Sequence, residues 1–140
     1  MRKSKEENYE YLFLFFAIIV FIDRLAKTFL SDGCISSFCI KKAINQGAAF
    51  GILPGMNWLF IGVALTVLIL IVLFINEMDR IGKIALILIA AGTTANLIDR
   101  IFFGYVIDIF SVFSSSSFNV ADISNTLGGI LLLVSLFRKK

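Results

Sequence analysis

The sequence predicts an all-α membrane protein with four transmembrane helices and a small β-rich cradle on the extracytoplasmic side. Three observations predict it. The first is composition: of 140 residues, 59% are hydrophobic and 16% charged, against about 45–50% and about 25% in soluble domains. The second is a set of four apolar segments, each within the roughly 17–25 residues that a spanning helix needs. The third is the placement of positive charge, which clusters at the two ends of the chain and in one short break at its centre. The length fits a single domain, residues 1–140.

The first apolar segment is residues 11–30, "YLFLFFAIIVFIDRLAKTFL". It has the basic start and apolar core of a cleavable leader. No small-residue cleavage site follows, however, and Asp23, Arg24 and Lys27 interrupt its far half, so it reads as a retained helix. The loop 31–57 comes next and holds the only proline. It is too polar and too broken for a helix. Its glycines, β-branched residues and aromatics predict short strands or a curved platform at the membrane surface. Cys34 and Cys39 lie in this loop and are expected as two small unpaired residues. A disulfide is the alternative if the loop faces an oxidising compartment.

The second segment, residues 58–75, is the most uniformly apolar. The third is 84–103, and the fourth, after a loop at 104–119, is 120–137. The run "SSSS" at 114–117 reads as a turn or mobile tip without chemistry.

Charge sets the orientation. Arg2, Lys3 and Lys5, then Arg80 and Lys83, then Arg138, Lys139 and Lys140 all fall on one side if the four helices alternate. That side is cytoplasmic. Both termini are then cytoplasmic and the loops 31–57 and 104–119 lie outside, with Lys41 and Lys42 as a mild exception. Topology, rather than nucleic-acid binding, accounts for the net charge of +3, because no basic face with interleaved aromatics lies outside the apolar spans.

The chain contains no histidine. That removes Ser-His-Asp triads, Cys-His dyads and His-ligated metals in one step. Two cysteines are too few for a structural zinc, and no metal or cofactor is expected. Acids and amides remain. Asp99, Arg100 and Asp108 are expected near the outer end of the third helix and Asp122 near the outer start of the fourth. Asn45, Asn96 and Asn119 belong at the same level.

Ionisable groups within a span cost roughly 2.5–3.5 kcal/mol each, so each needs a reason. Asp23 and Lys27, four apart with the acid first, read as a structural ion pair. Asp99 and Arg100 read equally well as neighbouring charges that orient a helix end. Asp108 in "VIDIF" and Asp122 in "VADIS" have no adjacent base. Two carboxylates brought together in such surroundings share one proton near neutral pH. Such a pair can activate water and protonate a leaving amine. It is the hydrolytic machinery this residue set most readily builds. Two other classes stay open on the residues alone. A small proton-coupled transporter would keep an acid near the middle of the bilayer, where Asp23 comes closest. A non-catalytic membrane scaffold would be indifferent to Asp108→Asn.

Four motifs, in order, resemble the lipoprotein signal peptidases (signal peptidase II). They are "DRLAK" at 23–27, "NQGAAFG" at 45–51, "NLIDRIFFGYVIDIF" at 96–110 and "FNVADIS" at 118–124. The resemblance implies a four-helix aspartic endopeptidase of the bacterial cytoplasmic (inner) membrane. Such enzymes cut the signal peptide from a prolipoprotein just before a diacylglyceryl-modified cysteine. By motif position it implies Asp108 and Asp122 as the catalytic pair. Asn45, Gly47, Asn96, Arg100 and Asn119 would hold the substrate and the dyad. Asp23, Lys27 and Asp99 would give structural support, Asp99 beside Arg100. It further implies a globomycin-type inhibitor, no metal and no nucleic acid, and an active site near the extracytoplasmic face that needs one copy of the chain. Arg24 stands where the family commonly has Gln, Ala95 where Gly is usual, and Thr93 and Thr94 where smaller or apolar residues are common.

Overall fold

The computed structural model describes residues 9–35, 37–47, 53–112 and 116–138. The chain runs α1 (Tyr9–Phe29), β1 (Gly33–Ile35), β2 (Phe38–Asn45), α2 (Asn57–Phe74), a single 3₁₀ turn (Ile75–Glu77), α3 (Arg80–Phe103), β3 (Val106–Val112), β4 (Ser116–Phe118) and α4 (Val120–Arg138). The predicted helices are all present, with ends moved by a few residues. Most of the movement is at the start of α3, where Asp79 caps the helix by accepting from the Gly82 N–H at 2.8 Å.

α3 is the axis of the bundle. Twelve of its residues are buried, and α1, α2 and α4 all pack on it. Its small residues, Ala85, Ala91 and Ala95, are fully buried and let neighbouring backbones come close. Close packing replaces hydrophobic burial as the source of helix association when the surroundings are lipid. Ile19 of α1 packs on Leu88 and Ala91. Ile71 of α2 packs on Leu86 and Ala90. On α1 the buried residues Leu12, Ile19, Asp23 and Lys27 recur at helical spacing, so one face carries both the apolar contact and the charges. α2, α3 and α4 are each long and apolar enough to cross a membrane. α1 has the length, at 21 residues, but carries three charges in its second half.

The four strands form one antiparallel sheet in the order β1-β2-β3-β4, at the end of the bundle where α1 and α3 finish and α4 begins. Phe38, Phe110 and Phe118 pack ring to ring across β2, β3 and β4, the first pair stacked and the second tilted, with ring centres 5.8 and 5.5 Å apart. Gly104 ends α3 in the left-handed region, φ 80°, which glycine enters without penalty, and this reverses the chain into β3.

Asp108 lies just beyond the end of α3, in the middle of β3 and opposite Ala43 of β2. Two expectations are corrected here. The segment after α3 is not only a turn, since it supplies two strands; Ser114 and Ser115 of the serine run lie outside the described residues, whereas Ser116 and Ser117 are in β4. Cys34 and Cys39 are joined in a disulfide. They sit directly opposite each other in the β1–β2 pair, with Cα atoms 4.1 Å apart, so the hairpin register brings the two sulfurs together.

Candidate active site

β3 and the start of α4 bring two acids to one place. Asp108 is fully buried in β3, and Asp122 stands in the first turn of α4. Asn119, also fully buried, joins them. Its side-chain Nδ2 donates to Asp108 Oδ1 at 3.1 Å, and its backbone N–H donates to Asp122 Oδ2 at 3.1 Å. Asn119 Oδ1 accepts from the Asp122 N–H at 2.9 Å, so one residue caps the helix and spans the two carboxylates.

Two further amides complete the setting. Asn45 Nδ2 donates to Asp108 Oδ2 at 3.2 Å, while its Oδ1 accepts from the Gly47 N–H at 3.0 Å. Asn96 Nδ2 donates to Asp122 Oδ1 at 2.9 Å, and Asn96 Oδ1 accepts from Asn119 Nδ2 at 3.0 Å. The Ser117 hydroxyl donates to Asp108 Oδ2 at 2.8 Å. Burial pushes the Asp108 carboxyl above the usual carboxylate range. The donors Ser117, Asn45 and Asn119, with the charge of Lys27, pull it partly back.

Behind the acids lies a buried ion cluster. Lys27 Nζ is 2.8 Å from Asp23 Oδ2 and 2.7 Å from Asp99 Oδ2, and lies 3.4 Å from Asn96 Oδ1. Arg24 lies 3.1 Å from Asp23 and 2.7 Å from Asp99. The expected pairing of Asp99 with Arg100 is therefore corrected. Adjacent residues on a helix point about 100° apart, and Asp99 turns to α1 instead. The two acids also hold backbone: Asp23 Oδ1 accepts from the Ala121 N–H at 3.0 Å, and Asp99 Oδ2 accepts from the Ile107 N–H at 3.2 Å. Asp23, the acid a transporter would use, is thus fully engaged by Lys27, Arg24 and backbone.

Arg100 faces the other way. Its guanidinium donates to the Gly47 carbonyl at 2.7 Å, reaches Asn57 Oδ1 at 3.4 Å and lies over the Phe60 ring, 4.5 Å from its centre. A cavity of about 530 Å³ opens here between α2, α3, α4 and the sheet. Asn45, Gly47, Asn96, Arg100, Ser117 and Asp122 are on its wall. All ten residues singled out from the sequence therefore lie in the cavity wall, on the two acids or in the ion cluster behind them.

Sequence reasoning missed Ser117, Arg24 as the second cation of the cluster, and Asn57. Only their nearness to the motifs marks them, since each acts through a contact between distant elements. Among the described residues, no group of three or more His, Cys, Asp or Glu could hold a metal ion.

The chain is similar to known proteins over nearly its whole length. The family described as signal peptidase (SPase) II matches residues 15–138. A lipoprotein signal peptidase of Syntrophomonas wolfei is 35% identical over 130 residues, 85% of this chain and 87% of that one. One of Halothermothrix orenii is 33% identical over 134 residues, 88% and 92% of the two chains. A solved bacterial membrane enzyme superposes with a TM-score of 0.85 at 28% identity, covering 94% of this chain and 90% of its own.

Proposed function

The chain belongs to the signal peptidase II family and is a membrane peptidase that removes signal peptides from prolipoproteins, and we propose that Asp108 and Asp122 are the acids with which it does so. The observation that carries this assignment is the double grip of Asn119, whose side chain holds one carboxylate and whose backbone holds the other.

Asp108 meets three donors, Asn45, Ser117 and Asn119, and Asp122 two, Asn96 and the Asn119 N–H. Donors favour the ionised form, so Asp108 is the ionised partner and Asp122 holds the shared proton. A water between them loses a proton to Asp108 as its oxygen attacks the scissile carbonyl carbon. The carbonyl oxygen takes the proton of Asp122, giving a gem-diol. On collapse the C–N bond breaks, the departing amine takes the proton from Asp108, and one gem-diol hydroxyl returns its proton to Asp122. The acids end as they began.

Asn45, Gly47, Asn96, Arg100 and Asn119 position the substrate backbone and the dyad. Asp23, Lys27 and Asp99 brace them. The substrate is a prolipoprotein whose diacylglyceryl cysteine follows the cleaved bond. It reaches the cavity from the lipid, and a globomycin-type inhibitor occupies the same place. α1 is a fourth span in the cytoplasmic (inner) membrane, both termini are cytoplasmic, and the sheet lies at the extracytoplasmic face. The Cys34–Cys39 disulfide supports that side, because disulfides persist in oxidising compartments. One copy of the chain carries the whole site.

The test is a gel-shift assay with purified protein in detergent and a diacylglyceryl-modified prolipoprotein. Cleavage is expected from the unmutated protein, abolished by globomycin and by Asp108→Asn or Asp122→Asn in protein that still folds. Normal turnover by either variant overturns the dyad.

A further inference from the structure

The contact of Asn96 with Asp122 has a second rung beneath it. Asn96 is on α3 and Asp122 on α4. Three residues back along α3 is Thr93, and three residues on along α4 is Asn125. The Thr93 hydroxyl donates to Asn125 Oδ1 at 3.4 Å. Three residues are about 4.5 Å of helix, so this second pair lies about one turn deeper than the dyad. Both its members are on the wall of the same cavity. The wall opposite, on α2, is Phe60, Val63 and Val67 and offers no polar side chain.

Room for Asn125 is built into α3. Gly92 packs against it, and a Cβ at Gly92 would collide with the Asn125 side chain and with the Ala121 carbonyl. Asn125 is on the cavity wall and its Oδ1 is engaged by Thr93, which leaves Nδ2 as the end of the amide open to a ligand. None of the described residues accepts from that Nδ2. The neighbouring Thr126 hydroxyl is already spent on the Asp122 carbonyl at 2.9 Å. Asn125 is half-buried on the cavity wall, so its amide donor is free to meet an acceptor that enters the cavity.

We propose that Asn125, held by Thr93, is a carbonyl-binding subsite for the substrate one helical turn below the dyad. This rests on the dyad assignment, which fixes what enters the cavity. A lipid-modified substrate brings two kinds of carbonyl to that depth, the peptide carbonyls of the signal segment and the ester carbonyls of its diacylglyceryl group. A carbonyl held in the ground state and the transition state alike lowers KM and leaves kcat alone.

The experiment measures kcat and KM of the full-length protein in detergent on a diacylglyceryl-modified prolipoprotein. Asn125→Leu is expected to raise KM roughly threefold to tenfold, the range for one neutral hydrogen bond, with kcat unchanged. Thr93→Val, which keeps the volume and loses the hydroxyl, is expected to raise KM by less. The double variant is expected to be no worse than Asn125→Leu alone, because the two residues act as one unit. A second arm replaces the ester lipid by its dialkyl ether. If the KM defect of Asn125→Leu disappears there, the acceptor is the lipid ester; if it persists, the acceptor is a peptide carbonyl. Unchanged KM for Asn125→Leu and Thr93→Val on the ester substrate, or a loss confined to kcat, overturns the subsite. Failure of the dyad assignment is seen separately, as normal cleavage by Asp108→Asn.

Discussion

α2 and α3 both read as apolar helices in the sequence, and both are long and apolar enough to cross a membrane. The structure treats them differently. α3 buries twelve residues, Asp99 and Arg100 among them. α2 buries one, Ile71, and shows Val72 and Leu73 outward at 72% and 62% exposure. The uniformly apolar helix is the one that faces lipid. The helix with polar interruptions is the one surrounded by protein. In a membrane protein a polar residue in a span needs protein partners, so polarity, rather than hydropathy, locates the interior.

Breaking the polar side of that contrast has the largest expected effect. Lys27→Met leaves Asp23 and Asp99 without the ammonium they share, and removal of one partner from a buried ion cluster costs about 3–5 kcal/mol. Thermal unfolding in detergent checks it, and an unchanged midpoint contradicts it. On α2 the contrast can be drawn within one turn. Ile71→Ala is expected to cost about 2 kcal/mol through the packing it removes against Leu86 and Ala90.

Ser117→Ala acts on catalysis and is expected to lower kcat about tenfold, a loss of one hydrogen bond to a charged group. Burial already holds the Asp108 carboxyl above its ordinary range, and the Ser117 hydroxyl favours its ionised form. Removing that donor raises the carboxyl further. The acidic limb of the pH profile of kcat/KM then moves to higher pH, and Ser117→Thr restores it. Lys27, Arg100 and Asp122 face the same carboxyl in all three proteins, so the movement reports the hydroxyl alone.

Val72→Leu, on the lipid face, is expected to change stability by less than about 0.5 kcal/mol and activity not at all. EDTA is expected to leave cleavage unchanged; loss of activity that zinc restores would contradict a metal-free site.

The fold was legible to the extent that it rests on periodicity and length. Four helices and a strand-forming outer loop follow from apolar runs and from the glycines that break them. The acids and amides of the site were also legible, because polar groups in apolar surroundings stand out. What depends on strand register was not. Asp108 was placed in the loop after the third helix, where nothing in "VIDIF" alone shows that a strand forms. Its β-branched alternation makes a strand only because β2 is there to pair with it. Cys34 meets Cys39 through the register of the β1–β2 hairpin, which spacing alone does not determine. Ser117 reaches Asp108 from a strand three residues long, inside a run of like residues where nothing distinguishes one serine from the next. The partners of Asp99 were missed for a related reason. Sequence adjacency suggested Arg100, whereas helical geometry sends the two side chains to opposite neighbours.

The cluster around Lys27 reaches the main chain beside both acids. Asp23 holds the amide of Ala121, the residue before Asp122, and Asp99 holds the amide of Ile107, the residue before Asp108. One ammonium ties the two together. The arrangement is a caliper: two jaws fixed to one pin, each gripping main chain one step from an acid. The gap between the acids is therefore held from the side away from the cavity.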